Sequence, residues 1–339
     1  MKEYDFSPDR FFRELYENRP SPYENAAPED IPLISREIKK EAKRIFSSDK
    51  LPGKISGAEY TVIRSEKRKS YEIKELSVRL TESLNMLCYF LKPEKCEKTA
   101  VVAVPGHGYG VRQIIRQGKS GKYRRINFLD NYQKNFAEEL ALNGNAVIAF
   151  EPVGFGRARL KKDMKKPFYI SSCETVSMHS LMYGFSVAAL RVYQARKCID
   201  VLEKEGFSDF GIMGISGGGL VALYTSVLDD RISRTAVSGY INTFGKSVLS
   251  MWHCTDNYIP SLLEAGDMYD FASSLAPKKL LMECGRKDRL FPIDASLEAV
   301  KRISEVYEKT GAKENFIADI HNGKHQVSGK MAFTFFKED

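Results

Sequence analysis

Three features of the chain predict an α/β fold with a mainly parallel central sheet, helices on both faces and a helical extension at the amino end. Apolar run 146–150 follows an amphipathic stretch that repeats Phe136, Ala137, Leu140 and Ala141 on one face and closes at Gly144. Residues 188–202 repeat Ala188, Val192, Ala195, Ile199 and Leu202 at helical spacing, just before a second apolar run at 210–213. That run enters Gly214-Ile215-Ser216-Gly217-Gly218 and opens into the apolar segment 220–224, the order strand, sharp turn, helix. Unalternating apolar strands separated by helices are what a parallel sheet covered on both sides requires.

The elements follow in order. Residues 1–55 read as a helical and extended arm. Ser7-Pro8 starts a helix carrying Phe11, Phe12, Leu15 and Tyr16, Pro20, Pro22, Pro28 and Pro32 interrupt regular structure, and a second helix covers 34–46. The arm's aromatic stripe is expected to pack on its own body, with docking onto a second copy as the alternative. Residues 56–339 form the main domain. Segments 60–63, 73–78 and 84–90 begin the sheet as antiparallel strands. Parallel strands follow at 101–104, 146–150, 210–213, 234–238, 279–284 and 316–320. A helix covers 295–307, and another is expected from about Ser328.

The corner at Ser216 carries the chemistry. A serine on a strand-to-helix turn projects outward, and glycines at 214 and 218 let the two backbones pass closely. Nucleotide readings fail on spacing. Gly214 has no second glycine two residues on, and Gly118-Lys119-Ser120 and Gly245-Lys246-Ser247 have Gln113 and Tyr240 where a P-loop has glycine. A serine hydroxyl needs an imidazole to take its proton and a carboxylate to orient that imidazole. His325, in the loop after strand 316–320, is the candidate base, and Asp288, just past strand 279–284, the candidate carboxylate. His321, Asp294 and Glu283 are the weighed alternatives. His321 reads as a loop anchor and Asp294 as a carboxylate in a helix's first turn. No metal or cofactor is expected, because His321 and His325 lack the glutamate and the helix of a zinc-hydrolase motif. An oxyanion needs two backbone donors. Gly217 supplies one, and Tyr109, in the turn Pro105-Gly106-His107-Gly108-Tyr109-Gly110, is assigned the other. His107, Trp252, His253 and Tyr258 are candidate substrate contacts, with Trp252 and Tyr258 as pocket walls.

The His-Gly-Tyr turn, the Gly-Ile-Ser-Gly-Gly corner, Gly285-Arg286-Lys287-Asp288 with Phe291-Pro292, and Gly323-Lys324-His325 resemble the α/β-hydrolase superfamily, in its dienelactone-hydrolase-like and acetyl-xylan-esterase-like branch. The resemblance extends over about residues 85–336. Such families usually carry a second glycine before the histidine and an arginine where Lys278 stands. The resemblance implies a serine esterase for a short-acyl, small-molecule ester. A serine peptidase of prolyl-oligopeptidase type is the enzymatic alternative, and a hydrolase-like binding protein without turnover is the other.

Composition bounds the partners. With 339 residues, 43% of them apolar, the chain can bury a substantial core. Its net charge of +8 comes without the motifs of nucleic-acid binders, so no nucleic acid is expected. Basic residues cluster after two strands, at Arg112, Arg116, Lys119, Lys122, Arg124 and Arg125 and again at Arg157, Arg159, Lys161, Lys162, Lys165 and Lys166. The plainer reading is solvated loops whose lysines serve solubility, and the alternative is a positive rim for an anionic or sugar-linked ester. Six cysteines without C-x-x-C, no signal-like start and no membrane-length apolar run imply a reduced, cytoplasmic, soluble protein.

Overall fold

The computed structural model describes residues 6–68, 70–108, 110–117 and 131–337. In chain order the helices are α1 (Asp9–Glu17), α2 (Ile31–Ile45), α3 (Phe136–Leu142), α4 (Cys173–Met182), α5 (Val187–Lys204), α6 (Gly217–Leu228), α7 (Leu262–Ala265), α8 (Met268–Ser273) and α9 (Ile293–Lys309). The strands are β1 (Tyr60–Lys67), β2 (Tyr71–Arg79), β3 (Asn85–Pro93), β4 (Thr99–Val104), β5 (Val147–Phe150), β6 (Asp209–Ile215), β7 (Ile232–Ser238), β8 (Lys279–Gly285) and β9 (Phe316–His321). They form one sheet in the order β1-β2-β3-β5-β4-β6-β7-β8-β9. The first three are antiparallel to their neighbours, and every pairing from β5 to β9 is parallel.

Side-chain alternation along the strands fills both faces. Val102 and Val104 of β4 join Ile148, Ile212 and Leu280 under α5 and α6, while Val101 and Ala103 join Val147, Met213 and Leu281 under α3. Because both faces are covered, neither can be polar, which explains the continuous apolar runs of these strands. The chain leaves β4 for β5 on one side and returns to β6 on the other. Backbones diverge at that reversal, opening a crevice at the carboxyl ends of β4 and β6, where ligands of α/β sheets bind.

Several local expectations change. Pro32 falls in the first turn of α2, where its missing N–H has no partner to lose, so it opens that helix instead of interrupting it. No helix forms from Ser328. The Ser328 and Gly329 amides donate to the two oxygens of Glu283, both at 3.0 Å, Gly329 has φ +70°, and a single turn from Met331 follows. The segment still covers the sheet, because Phe336 is fully buried against the bare Cα of Gly211. In the arm, Tyr16 alone of the predicted stripe docks. Phe11, Phe12 and Leu15 are 59%, 63% and 56% exposed.

Asp267 fixes the arm. One of its carboxylate oxygens accepts from the Phe244 amide at 2.9 Å and the Met268 amide at 2.8 Å, the other from the Tyr16 hydroxyl at 2.6 Å, with Arg19 Nη2 at 2.9 Å. Asp270 completes the cap of α8 by accepting from the Asp267 amide at 2.7 Å. Burial, helped by the neighbouring Asp267 charge, raises the Asp270 carboxyl to about 7. In the unfolded chain it titrates near 4. The folded state therefore holds this proton more tightly, and its contribution to stability is present below about pH 4 and lost as pH rises to about 7. Asp270→Asn should remove that slope, changing the difference in unfolding free energy from wild type by on the order of 4 kcal/mol across the interval. Urea titrations at several pH values would test it, and parallel curves for the two proteins would refute the assignment.

Candidate active site

Ser216 lies between the last residue of β6 and the first of α6, with φ 58° and ψ −126°, a left-handed conformation that a non-glycine residue adopts at a cost of about 1–3 kcal/mol. The corner is this sharp because backbone packs on backbone. A β-carbon on Gly214 would lie 2.1 Å from the Gly218 carbonyl oxygen, and one on Gly218 would lie 2.2 Å from that of Val104. Any side chain at either position forces β6, β4 and α6 apart. The Ser216 amide donates to the Ser238 carbonyl at 3.0 Å, which ties the corner to the end of β7.

Asp288 and His325 meet directly, with His325 Nδ1 2.7 Å from Asp288 Oδ2. The other oxygen of Asp288 accepts from the amides of Leu290 at 2.9 Å and Phe291 at 3.1 Å, so the carboxylate is fixed by its own loop. The rings of Tyr132 and Phe291 lie nearly parallel to the imidazole, with centroids 5.8 and 5.7 Å away. Gly239, which has φ +52°, gives the imidazole room, since a β-carbon there would stand 3.2 Å from His325 Cε1. Ser216 and His325 thus border the same Ser238–Gly239 turn. Among the described residues Asp288 is hydrogen-bonded to His325, and none is hydrogen-bonded to Ser216 Oγ.

The remaining sequence candidates are distributed around this centre. Gly217 is the first residue of α6, where amides lack intrahelical acceptors. Tyr109 lies outside the described residues. His107 packs against the Cα of Gly217, sets its edge on Phe155 and places Nε2 2.9 Å from Asp256 Oδ2. Burial works against its protonated form, but Asp256 outweighs burial and pushes the imidazole up to about 10. His253 is buried against Phe291, and burial, with His325 nearby, lowers its pKa. Trp252 is 84% exposed, and Tyr258 donates its hydroxyl to the Val248 carbonyl at 3.2 Å. His321 accepts from the Gly323 amide at 3.0 Å, and Asp294 pairs with Lys246 on the exposed first turn of α9.

The arginines of the basic stretches, where described, are engaged with other groups of the chain, and the lysines are exposed. Arg116 pairs with Glu138 at 2.7 Å and Glu139 at 3.1 Å, Arg157 pairs with Glu75, and Arg112 lies over the Phe168 ring. Arg159 is buried and donates to four carbonyls between residues 156 and 170. Lys119, Lys122, Arg124 and Arg125 lie outside the described residues. Lys161, Lys162, Lys165 and Lys166 are exposed, with Lys166 paired to Asp163 at 2.7 Å.

Two buried glutamates that sequence reasoning left without a site role organise the loops. Glu151 accepts from the Val111 amide at 3.0 Å and the Arg157 amide at 3.2 Å, joining the turn after β4 to the loop after β5. Glu283 accepts from the Ser238 hydroxyl and from the Ser328 and Gly329 amides, joining the ends of β7 and β8 to the histidine loop. Burial raises the pKa of both carboxyls. A groove of about 930 Å³ beside α1, lined by Phe12, Leu15, Leu249 and Leu262, contains none of the candidate catalytic residues.

No protein-family model matches the chain. Over 260 residues it is 26% identical to "Putative hydrolase YtaP" of Bacillus subtilis (strain 168), across 74% of this chain and 82% of that protein. It superposes on a "putative acetyl xylan esterase" from Bacteroides fragilis NCTC 9343 with a TM-score of 0.79 at 14% identity, over 94% of this chain and 83% of the other. The chain has the α/β-hydrolase fold. Methylesterase BT1017 shares this hydrolase fold with a TM-score of 0.68 at 17% identity, over 92% of this chain and 64% of that one. A glucuronoyl esterase from Solibacter usitatus does so with a TM-score of 0.58 at 14% identity, over 85% and 88% of the two chains. No helix among the described residues is long and apolar enough to cross a membrane.

Within the hydrolase fold, Glu283 is the strut of the histidine loop. Glu283→Ala leaves a hydroxyl and two amides without their acceptor and should lower unfolding free energy by about 2–5 kcal/mol, with Glu283→Gln, which keeps one carbonyl oxygen, losing less. Urea unfolding would measure both, and an unchanged midpoint in the alanine variant would remove this role from Glu283.

Proposed function

We propose that the protein is a serine hydrolase of carboxylic esters with a short acyl group. The observation that carries this reading is the left-handed backbone of Ser216 on a strand-to-helix corner, bordering the same turn as the His325–Asp288 pair. Ser216 Oγ attacks the ester carbonyl carbon while His325 Nε2 takes its proton, and Asp288 holds the Nδ1–H and balances the imidazolium. Negative charge on the carbonyl oxygen is met by the Gly217 amide and by the second donor that the sequence assigns to Tyr109. The imidazolium returns its proton to the leaving alkoxide, leaving an acyl-enzyme on Ser216. Water, deprotonated by His325, then releases the acid.

Support for an ester comes from the names carried by proteins of the same fold, an acetyl xylan esterase, a methylesterase and glucuronoyl esterases. Arg116 and Arg157 are paired with carboxylates, whereas Lys161, Lys162, Lys165 and Lys166 are exposed, so an anionic or sugar-linked ester stays within this reading. A cytoplasmic location and association through α1 belong to the same reading, the latter resting on the exposed Phe11, Phe12 and Leu15.

A fluorophosphonate probe should label wild type and fail to label Ser216→Ala. On p-nitrophenyl acetate, His325→Ala and Asp288→Asn should each lower kcat by on the order of a thousandfold or more, with smaller changes in KM. Activity should fall as the acyl chain of the p-nitrophenyl ester lengthens. An unlabelled wild type would reject the enzyme in favour of a binding protein.

A further inference from the structure

Beneath the turn after β4 lies a group of side chains that the ester chemistry does not use. His107 from that turn, Cys173 at the start of α4, and Cys254 and Asp256 from the segment after β7 bring one nitrogen, two sulfurs and one carboxylate oxygen within 4.8 Å of one another. Cys173 and Asp256 are buried, and Cys254 is half-buried. His107 Nε2 is shielded from water and has no well-aligned hydrogen bond, its near neighbour being Asp256 Oδ2. This nitrogen, ion-paired with Asp256, thus stands within a cluster of two thiols and a carboxylate whose atoms are all metal-ligand types.

We propose that His107, Cys173, Cys254 and Asp256 form a structural zinc site. Two thiolates, an imidazole and a carboxylate are the donor types that zinc takes, and four protein ligands give the closed tetrahedral form that leaves no position for a substrate. With bond lengths of about 2.3 Å to sulfur and about 2.0–2.2 Å to nitrogen and oxygen, a tetrahedral ion sets its ligand atoms roughly 3.3–3.8 Å apart. The present spread exceeds that by about an ångström at most, and the His107–Asp256 pair must open slightly. Both are side-chain adjustments.

The charge also closes. A dication with two thiolates, one carboxylate and a neutral imidazole has a net charge of −1, and Arg191 supplies the compensating cation. Its guanidinium donates to Asp256 and, at 3.2 Å, to Cys173 Sγ, and is anchored to the Val153 carbonyl at 2.8 Å. Hydrogen bonds of this kind orient metal ligands and lower the charge on thiolate sulfur. Zinc binding releases the thiol protons and any imidazole proton to solvent, and no oxidant or reductant is consumed. The ion would join three segments that converge beside Gly217, with His107 as the member touching the corner of Ser216. This inference does not depend on the esterase reading, and the expectation that no metal binds rested on His321 and His325 alone.

The test is metal content of the full chain produced in zinc-supplemented medium and freed of loose metal by gel filtration. Wild type should retain about one zinc per chain by inductively coupled plasma mass spectrometry, and Cys96→Ser, which alters an exposed thiol, should match it. Cys173→Ser and Cys254→Ser should each lose most of it. Cobalt-substituted wild type should show a thiolate-to-cobalt charge-transfer band that chelation removes. Since the cysteine variants test folding as well, alkylation of wild type with iodoacetamide gives an independent reading. Peptide mapping should find the half-buried Cys254 at least tenfold less modified with zinc than after chelation, and Cys96 equally modified in both. Metal-free wild type that takes up neither zinc nor cobalt would overturn the proposal, as would a Cys173–Cys254 disulfide in protein purified without reductant.

Discussion

The approach of α6 to the ends of β4 and β6 is the constraint on which the candidate site depends. It is a contact of backbone on backbone, tolerated because Gly214 and Gly218 present no side chains to each other or to Val104. With the helix this close, the connecting residue must reverse direction within one peptide unit, and that forces Ser216 into its left-handed conformation. The strain is met by the parallel pairing of β6 with β4 and β7 and by the burial of α6, which is mostly apolar. The serine is therefore held at the corner by the rigidity of what surrounds it and not by local flexibility.

The loops around that corner bury apolar side chains such as Val111, Phe155, Phe291 and Val327, and buried carboxylates fix their backbones. Glu151 ties the turn after β4 to the loop after β5, Glu283 ties the histidine loop to β7, and Asp288 caps its own loop while holding His325. Each accepts backbone amides with its oxygens. A buried carboxylate that accepts two or three amides is a strong joint, because breaking it leaves both charge and donors unsolvated. Burial nevertheless raises the pKa of Glu151 and Glu283, so these joints are strongest where hydrogen bonds are complete. Asp267 does the same for the amino-terminal arm, which is fastened by polar groups at Tyr16 and Arg19 instead of by its exposed phenylalanines.

What the sequence made legible was local or periodic. The parallel strands, α5, α6 and α9 could be read because their apolar patterns match their periods, and Ser216 because its corner is written in consecutive residues. His325 and Asp288 could be named from chain order, each following a late strand. Contacts between distant residues that no motif announces were not legible. Nothing around Glu283 marks it as the acceptor of Ser328 and Gly329, and that capture is also why the helix expected from Ser328 stops at a single turn. The basic clusters were legible only in part: Lys161, Lys162, Lys165 and Lys166 are exposed, whereas Arg116 meets Glu138 and Arg157 meets Glu75, partners that arrive from other elements.

The same argument explains why two polar centres can stand side by side with different characters. His325 faces a carboxylate whose other oxygen is occupied by two amides, which leaves the imidazole's remaining nitrogen as the group not committed to Asp288. His107, one turn away in space through Gly217, faces a carboxylate already engaged by Arg191 and stands among two thiols. An imidazole with one nitrogen anchored and the other uncommitted suits proton transfer, whereas one confined among sulfur and carboxylate donors suits a fixed structural role. In this chain the difference is set by the second partner of each carboxylate, backbone amides for Asp288 and a guanidinium for Asp256.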